Sequence, residues 1–513
     1  MMKKQIAKAA ATAAAVLGLL SALAGCAPGV ASPAESGSRT AAVTEAAPKK
    51  LEITDEFRIS CARGDGIALS LAGRLQTELK DSLGASVKLN TSFTEIPEKE
   101  IVVGKLSRAD AEAVYGGLGG DGWTVKAEGN RIYIAGVSNK GLCTAYDAFV
   151  AALHGGKITE GMTMNGKCPL ITGFDFEKGD YTDTKVSSAY PRIYRLRDGT
   201  MLLGYDGMRL KTSDDEGASW SRREVQASGD RKGVANAAFF EDDDGVIYYA
   251  YRSVYSLTEG GKYYGLHVST SHDKGKTWEY HSAIIEHVDP LGEKGVWEPH
   301  LGILNGKLTC FYANEIPSAT HYQNIEYKQW DEEKKEWNNQ TVVSDGDKHK
   351  SRDGMPVWQR LSTGEYVCVM EAFDKTNNNK FCVKLTYSAD GINWSEPITV
   401  MSPLIKETRC AAPYIVELPN GQLVVNCQTD EKLGEPTKGT HMAISVSDGT
   451  PVRYLTEKNF SEHGYPFGAD DSTDCFSTWN GMYVTDNYIF FCTSGSKGHG
   501  VRVMRVKLET SEN

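Results

Sequence analysis

Ser213-Asp-Asp-Glu-Gly-Ala-Ser-Trp220 decides the fold, because the same phrase returns as Ser271-His-Asp-Lys-Gly-Lys-Thr-Trp278 and, one residue shorter, as Ser388-Ala-Asp-Gly-Ile-Asn-Trp394. Each copy joins a turn-forming Ser/Asp/Gly cluster to an aromatic ring able to plug a sheet edge. One turn recurring at roughly blade-length spacing is the sequence signature of a β-propeller. Such turns belong on the outer rim of the scaffold. They set the architecture and leave the chemistry to other residues.

Outward from these turns, the chain from about 173 to 510 is short strands and turns, with few segments of helical period. It divides into six stretches of similar length. They open at Tyr190-Pro-Arg192, Val234-Ala-Asn236, Trp297-Glu-Pro299, Arg352-Asp-Gly-Met-Pro356, Arg409-Cys-Ala-Ala-Pro413 and Asp470 to Cys475. Turn signals repeat in step at Asp198-Gly199, Asp244-Gly245, Asn305-Gly306, Thr363-Gly364, Asn420-Gly421 and Asn480-Gly481. The expectation is mainly β, a six-bladed propeller whose radial closure leaves few exposed strand edges.

Residues 51–172 carry a different pattern. Ala68 to Leu79 and Gly141 to Leu153 have helical spacing, Glu100 to Gly104 reads as a strand, and Gly122–Ala127 with Arg131–Ala135 reads as a hairpin. Strands covered on one face by two helices predict a small α+β accessory domain. It carries no expected catalytic role.

The first residues speak to compartment. Lys3 and Lys4 precede an apolar stretch from Ile6 to Leu23, followed by Leu23-Ala24-Gly25-Cys26. That tetrapeptide matches the bacterial lipobox, so residues 1–26 are expected to be a lipoprotein signal peptide whose Cys26 is acylated. Residues 27–50, rich in Ala, Pro, Ser and Thr, read as a flexible tether. The expected product is extracytoplasmic and held at a membrane only through its N-terminal lipid.

With 513 residues, 40% hydrophobic and 24% charged, the composition is globular and too long for one ordinary domain. A formal charge of −11 argues against nucleic acid or an anionic membrane as the main partner. Besides Cys26 there are ten cysteines, none in a Cys-x-x-Cys pair, and the histidines lack ligand spacing, so no metal site is expected.

In a propeller the inner strands converge on the axis, so the six openings are where a pocket forms. Glu298, between Trp297 and Pro299, and Glu371, ending the apolar run Tyr366 to Met370, are carboxylates in settings that desolvate them. Desolvation raises a carboxyl pKa, as a general acid at neutral pH requires. Two carboxylates in different environments are the minimal kit for cleaving a glycosidic bond. Each could equally be a strand-end charge paired with an arginine. Arg192, Arg252, Arg352 and Arg409 offer forks of donors for sugar hydroxyls or a carboxylate, or could bridge blades. Asn236, Trp297 and His300 complete the expected substrate-binding set.

The repeated turn resembles the Asp-box of the sialidase superfamily. Taken in order, Tyr190-Pro-Arg-Ile-Tyr-Arg-Leu196, Asn236 with Ala250-Tyr-Arg252, Trp297-Glu-Pro299, Gly354-Met-Pro-Val357, Gly364-Glu-Tyr366 and Glu371 resemble glycoside hydrolase family 93, the exo-α-1,5-arabinanases. That resemblance spans about residues 185–430. It implies a cofactor-free, retaining exo-hydrolase of polysaccharide or oligosaccharide with Glu298 and Glu371 catalytic. Either could be nucleophile or acid/base, and the enclosed setting of Glu298 favours acid/base. The N-terminal order resembles the accessory domain preceding β-hexosaminidase catalytic domains. Two alternatives stay open. One is an exo-α-sialidase using Arg192, Arg352 and Arg409 with Asp206 and Tyr465 or Tyr483. The other is a non-catalytic carbohydrate-binding lipoprotein.

Overall fold

Asp65 ends an extended segment and its carboxylate accepts the Ala68 N–H at 2.9 Å, which starts α1 (Gly66–Leu83). Gly84, at φ 72°, stops it. The computed structural model describes residues 49–508, apart from 92–95, 172, 222–224, 227–231, 321, 375–379, 406, 471, 473–474 and 496–497. The expected signal peptide, Cys26 and all but the end of the tether lie outside these residues. Pro48–Asn513 is one compact unit.

The first part of that unit is a layered α/β element. It runs β1 (Arg58–Ser60), α1, β2 (Lys88–Asn90), β3 (Glu100–Val103), α2 (Ala109–Gly116), β4 (Gly122–Glu128), β5 (Arg131–Gly136), α3 (Asn139–His154) and β6 (Thr163–Lys167). The sheet order is β2-β1-β3-β5-β4-β6. Alternation along β3 settles the layering. Ile101 and Val103 pack with α1 and α3, whereas Val102 packs on the other face with Leu106, before α2, and with Ala111 of α2. The expectation of two helices on one face holds for α1 and α3, and α2 adds a helix opposite. The layer rests on the strands that follow. Gln422 accepts the Ile171 N–H at 2.6 Å, and Asn139 Nδ2 donates to Asp448 at 3.0 Å.

The remaining chain forms six four-stranded antiparallel sheets. Their inner strands are Arg192–Arg195 (blade 1), Val234–Glu241 (blade 2), Val296–Leu304 (blade 3), Ser351–Arg360 (blade 4), Cys410–Glu417 (blade 5) and Gly481–Val484 (blade 6). Each inner strand packs on the next, and the last packs on the first, so the ring is closed. Closure is made by sequence ends. The outermost strand of blade 6 is Asp180–Asp183, paired antiparallel with Arg502–Lys507. The mainly β, six-bladed propeller is therefore as expected.

The three Ser-x-Asp turns link the third and fourth strands of blades 1, 2 and 4. In the second, Asp273 accepts from Thr277 N at 2.8 Å and Thr277 Oγ1 at 2.6 Å, while Trp278 Nε1 donates to the Gly275 carbonyl at 2.9 Å. Gly275 sits at φ 79°, where a side chain is strained. These hydrogen bonds hold the Asp273 carboxyl down at about 2. In the shorter third copy, Asn393 Nδ2 donates to Asp390 at 2.7 Å in place of the hydroxyl.

Two boundaries of blade 6 differ from expectation, and the first is its opening, which lies at Trp479 and Asn480 before the strand Gly481–Val484 rather than at Asp470 to Cys475. Asn480-Gly481 is not the hairpin turn of blade 6 but the entry to its inner strand. The hairpin itself lies between Val484 and Tyr488.

Candidate active site

Every inner strand starts with the same distortion. In blades 2 to 5 the pairing with the second strand slips at Ala235/Ala238, Trp297/His300, Gly354/Val357 and Ala411/Tyr414. Within each slip lies one non-glycine residue in the left-handed region: Asn236 (φ 59°), Glu298 (47°), Met355 (50°) and Ala412 (48°). Tyr190 (57°) and Trp479 (47°) occupy the matching places in blades 1 and 6. Proline follows four of the six, at 191, 299, 356 and 413. Having no N–H to leave unpaired, it suits a bulge. Such backbone costs on the order of 1–3 kcal/mol per residue and persists only where its surroundings impose it.

The surroundings here are hydrogen bonds between blades. A side chain in the later half of one blade's second strand, or one residue past it, takes the N–H of the next blade's left-handed residue. Asp206 Oδ1 takes Asn236 N at 2.9 Å, Glu371 Oε2 takes Ala412 N at 2.9 Å, Gln428 Oε1 takes Trp479 N at 2.9 Å, and Ser494 Oγ takes Tyr190 N at 3.1 Å. In blade 3 the second strand offers only Ala313 opposite Trp297. Glu298 Oε2 takes the Met355 N–H instead, at 3.4 Å. The fold thus aims two glutamates from adjacent blades at the same rim, each oriented by a backbone donor.

Their environments differ. Burial pushes the Glu298 carboxyl up to about 7, helped by the negative charge of Glu371 and opposed by Arg252 and Arg352. Glu371, 9% exposed, is also raised by burial, but the Ala412 N–H, Arg352 and Arg409 all pull it back down. The charge of Glu371 is thus one of the two causes that raise Glu298, while a backbone N–H and two arginines favour the anion of Glu371.

Around the pair sits a second set of charges. Arg352 Nη1 lies 3.8 Å from Glu371 Oε1, and its Nε donates to Glu315 Oε1 at 3.3 Å. Glu315, 8% exposed, also accepts from Trp297 Nε1 at 2.8 Å. That fixes the indole against Tyr264 and places Arg252 over its ring, 5.1 Å from the centroid. Trp297 thus packs against Arg252. Arg409, half-exposed, pairs with Asp430 at 3.6 Å and reaches Glu371 only through its field. Asn236 contributes its backbone to Asp206, and its side-chain oxygen is buried without a partner among the described residues.

Two of the expected binding residues lie deeper. A central cavity of about 290 Å³ runs between the six inner strands, lined in part by Arg192, His300, Trp358, Tyr414 and Tyr483. Neither Glu298, near the start of its inner strand, nor Glu371, in the later half of the second strand of blade 4 (Tyr366–Asp374), lines it. Tyr190 precedes the first lining residues of blade 1 and is itself buried. It reaches across the axis to Met355 and Ala412, with the Arg192 guanidinium 3.9 Å from its ring centroid. Arg192 donates to the carbonyls of Pro191, Trp479 and Asn480, which binds the first blade to the last. His300 is held neutral, its pKa pushed down to about 3 by burial and by Arg192.

Arg192, Arg352 and Arg409 each engage different partners. Tyr465 follows the outermost strand of blade 5, Phe460–Gly464, and packs in the core between blades 4 and 5. Tyr483 lies against Tyr194, with centroids 6.0 Å apart, in the channel wall. Among the described residues no cluster could hold a metal ion, and no helix is long and apolar enough to cross a membrane.

Several residues of this site carry no signal of their own in the sequence. Glu315 is one. Gln323 is another, fully buried with both amide atoms unpartnered among the described residues. A Cβ on Gly354 would lie 3.1 Å from Glu371 Oε1 and 3.4 Å from Gln323 Nε2, so a larger residue there would make both side chains give way.

A family model described as glycosyl hydrolases family 32 N-terminal domain matches residues 235–487. No curated protein is similar to the chain. Among solved structures, a protein of unknown function from Dyadobacter fermentans is 12% identical, with 66% of this chain and 100% of that chain covered and a TM-score of 0.50. The GH93 α-L-arabinofuranosidase of Fusarium graminearum with arabinobiose is 19% identical over 66% and 96%, with a TM-score of 0.49. The Penicillium chrysogenum α-L-arabinanase complexed with arabinobiose is 20% identical over 66% and 97%, with a TM-score of 0.47. At these identities the likeness speaks to the fold alone.

Proposed function

We propose that the protein is a glycoside hydrolase that removes terminal arabinose units from α-1,5-arabinan or a related polysaccharide by a retaining mechanism. The observation that carries this reading is the carboxylate pair. Glu298 and Glu371 come from adjacent blades, both are raised by burial, the charge of Glu371 raises Glu298 further, and the Ala412 N–H, Arg352 and Arg409 favour the anion of Glu371. The family model describing glycosyl hydrolases, over residues 235–487, agrees with that chemistry. The ordered motifs resembling family 93, from Tyr190 to Glu371, favour arabinose as the sugar.

In this reading Glu371 attacks the anomeric carbon while Glu298 gives its proton to the departing oxygen. A glycosyl ester on Glu371 forms as the glycosidic bond breaks. Water then enters, losing a proton to Glu298, and its oxygen displaces Glu371 from the sugar. Arg352 and Arg409 keep Glu371 available as an anion. No cofactor takes part. Acylation at Cys26 would hold the enzyme outside the cytoplasm, next to a polymeric substrate.

The test is hydrolysis of linear α-1,5-arabino-oligosaccharides by the wild type, Glu298→Gln and Glu371→Gln. Release of arabinose or arabinobiose by the wild type, lowered at least about 10³-fold in both variants, is expected from the cost of removing an essential acid or nucleophile. Undiminished turnover in either variant would reject the pair as catalytic.

A further inference from the structure

One member of the ring of left-handed residues is unlike the rest. Tyr190, Met355 and Ala412 are buried in contact with one another, closing the axis, and Asn236 is buried beside Asp206. Glu298 carries the acid. Trp479 is 45% exposed, although it is the bulkiest of the six.

A large aromatic at φ 47° is a strained choice where asparagine or glycine would sit more easily. The chain nevertheless anchors it on both sides. Its N–H donates to Gln428 Oε1 at 2.9 Å, and its carbonyl accepts from Arg192 Nη1 at 3.2 Å. Gln428 stands opposite Ala411 in blade 5, just as Glu371 stands opposite Gly354 in blade 4. The Trp479 backbone is therefore fixed by the same device that orients Glu371. Strain of this kind, held in place and ending in an exposed ring, points to a ligand.

Position says which part of the ligand. In a closed ring of six, blade 6 is diametrically opposite blade 3, so Trp479 faces Glu298 across the rim, over the floor made by Tyr190. On the hydrolase reading a sugar is cut between Glu298 and Glu371, and a chain unit adjoining it that crosses the rim would meet Trp479. An indole presents a flat apolar face to the C–H face of a sugar ring.

We propose that Trp479 is a specificity-determining residue that stacks on a sugar unit adjoining the one cleaved. This rests on the glycoside hydrolase reading above. It makes the enzyme prefer oligosaccharide over an aryl monosaccharide, and it asks Trp479 to touch no reacting atom.

The experiment compares wild type, Trp479→Ala and Trp479→Phe on α-1,5-arabinotetraose and on an aryl α-L-arabinofuranoside. Calorimetry follows arabinotetraose binding to Glu298→Gln with and without Trp479→Ala. The expected result is a kcat/KM lower by tenfold or more on the tetraose for Trp479→Ala, carried mainly by KM. The aryl substrate should change less than threefold, Trp479→Phe should restore most of the loss, and Kd should weaken by a similar factor. Equal losses on both substrates would make Trp479 structural, and no loss on either would remove it from the site; both overturn the inference while leaving the hydrolase reading intact. Tetraose binding that weakens with Trp479→Ala in a protein that hydrolyses neither substrate keeps the stacking role and overturns the hydrolase reading. No tetraose binding to Glu298→Gln together with no hydrolysis by the wild type overturns both.

Discussion

Glu298→Gln should make the protein more stable, and increasingly so as pH rises. Burial and the charge of Glu371 lift the folded-state carboxyl from 4.5 to about 7. A group whose folded pKa is raised contributes its full stability below the unfolded pKa and loses it as pH rises through the folded one. Here the window is about 4.5 to 7. At about 1.4 kcal/mol per unit, ionised Glu298 costs about 3 kcal/mol at pH 8 and almost nothing at pH 4. Glutamine keeps the shape and never ionises. A folded body of roughly 470 residues has an unfolding entropy of about 1 kcal/mol per kelvin, so the variant should gain about 3 °C in Tm at pH 8 and about none at pH 4. Calorimetric melts of both proteins at the two pH values decide it. A Tm difference that stays constant with pH would refute the burial and coupling assigned to Glu298.

Other outcomes follow from the same geometry. The kcat/KM of the wild type should fall as pH rises through about 7, when Glu298 loses its proton, as a pH–rate profile would record. Removing Arg352 should move the acid limb of that profile upward, because one of the cations holding Glu371 down is gone. Asp273→Ala breaks the hydrogen bonds to Thr277 that fix a turn between outer strands of blade 2, so Tm should drop while kcat and KM stay unchanged. Ala412→Pro deletes the N–H that orients Glu371 and cannot adopt φ 48°, so kcat should fall at least about tenfold with a lower Tm, read by steady-state kinetics and calorimetry.

What could be read from the sequence was what is local. The Ser-x-Asp turns signal their own geometry through residues within eight positions, and five of the six inner strands open where Pro or Asn marks a bulge. Glu298 and Glu371 stand out because acids interrupt apolar strand sequence. Asn480-Gly481 misleads for an instructive reason. Asn-Gly is the strongest local hairpin signal, yet here it sits where blade 5 hands over to blade 6, and only tertiary packing decides that. Asp180–Asp183 is a polar edge strand whose partner is more than 300 residues away, and no periodicity announces it. Glu315 and Gln323 look like ordinary loop residues until the pairing between blades brings them to Arg352 and Gly354. The roles of the arginines were the least legible. Four similar side chains turn out to bind backbone carbonyls, an indole, two glutamates and an aspartate respectively.

The most direct test of the central claim separates the two glutamates by chemistry. Glu371→Ala and Glu298→Ala are given an aryl α-L-arabinofuranoside with sodium azide, and the products are assigned by NMR. With Glu371 as nucleophile and Glu298 as acid/base, azide rescues Glu371→Ala to the β-azide and Glu298→Ala to the α-azide. Exchange of the two products would reverse the assignment, and full hydrolysis by both variants without azide would contradict a catalytic pair at Glu298 and Glu371.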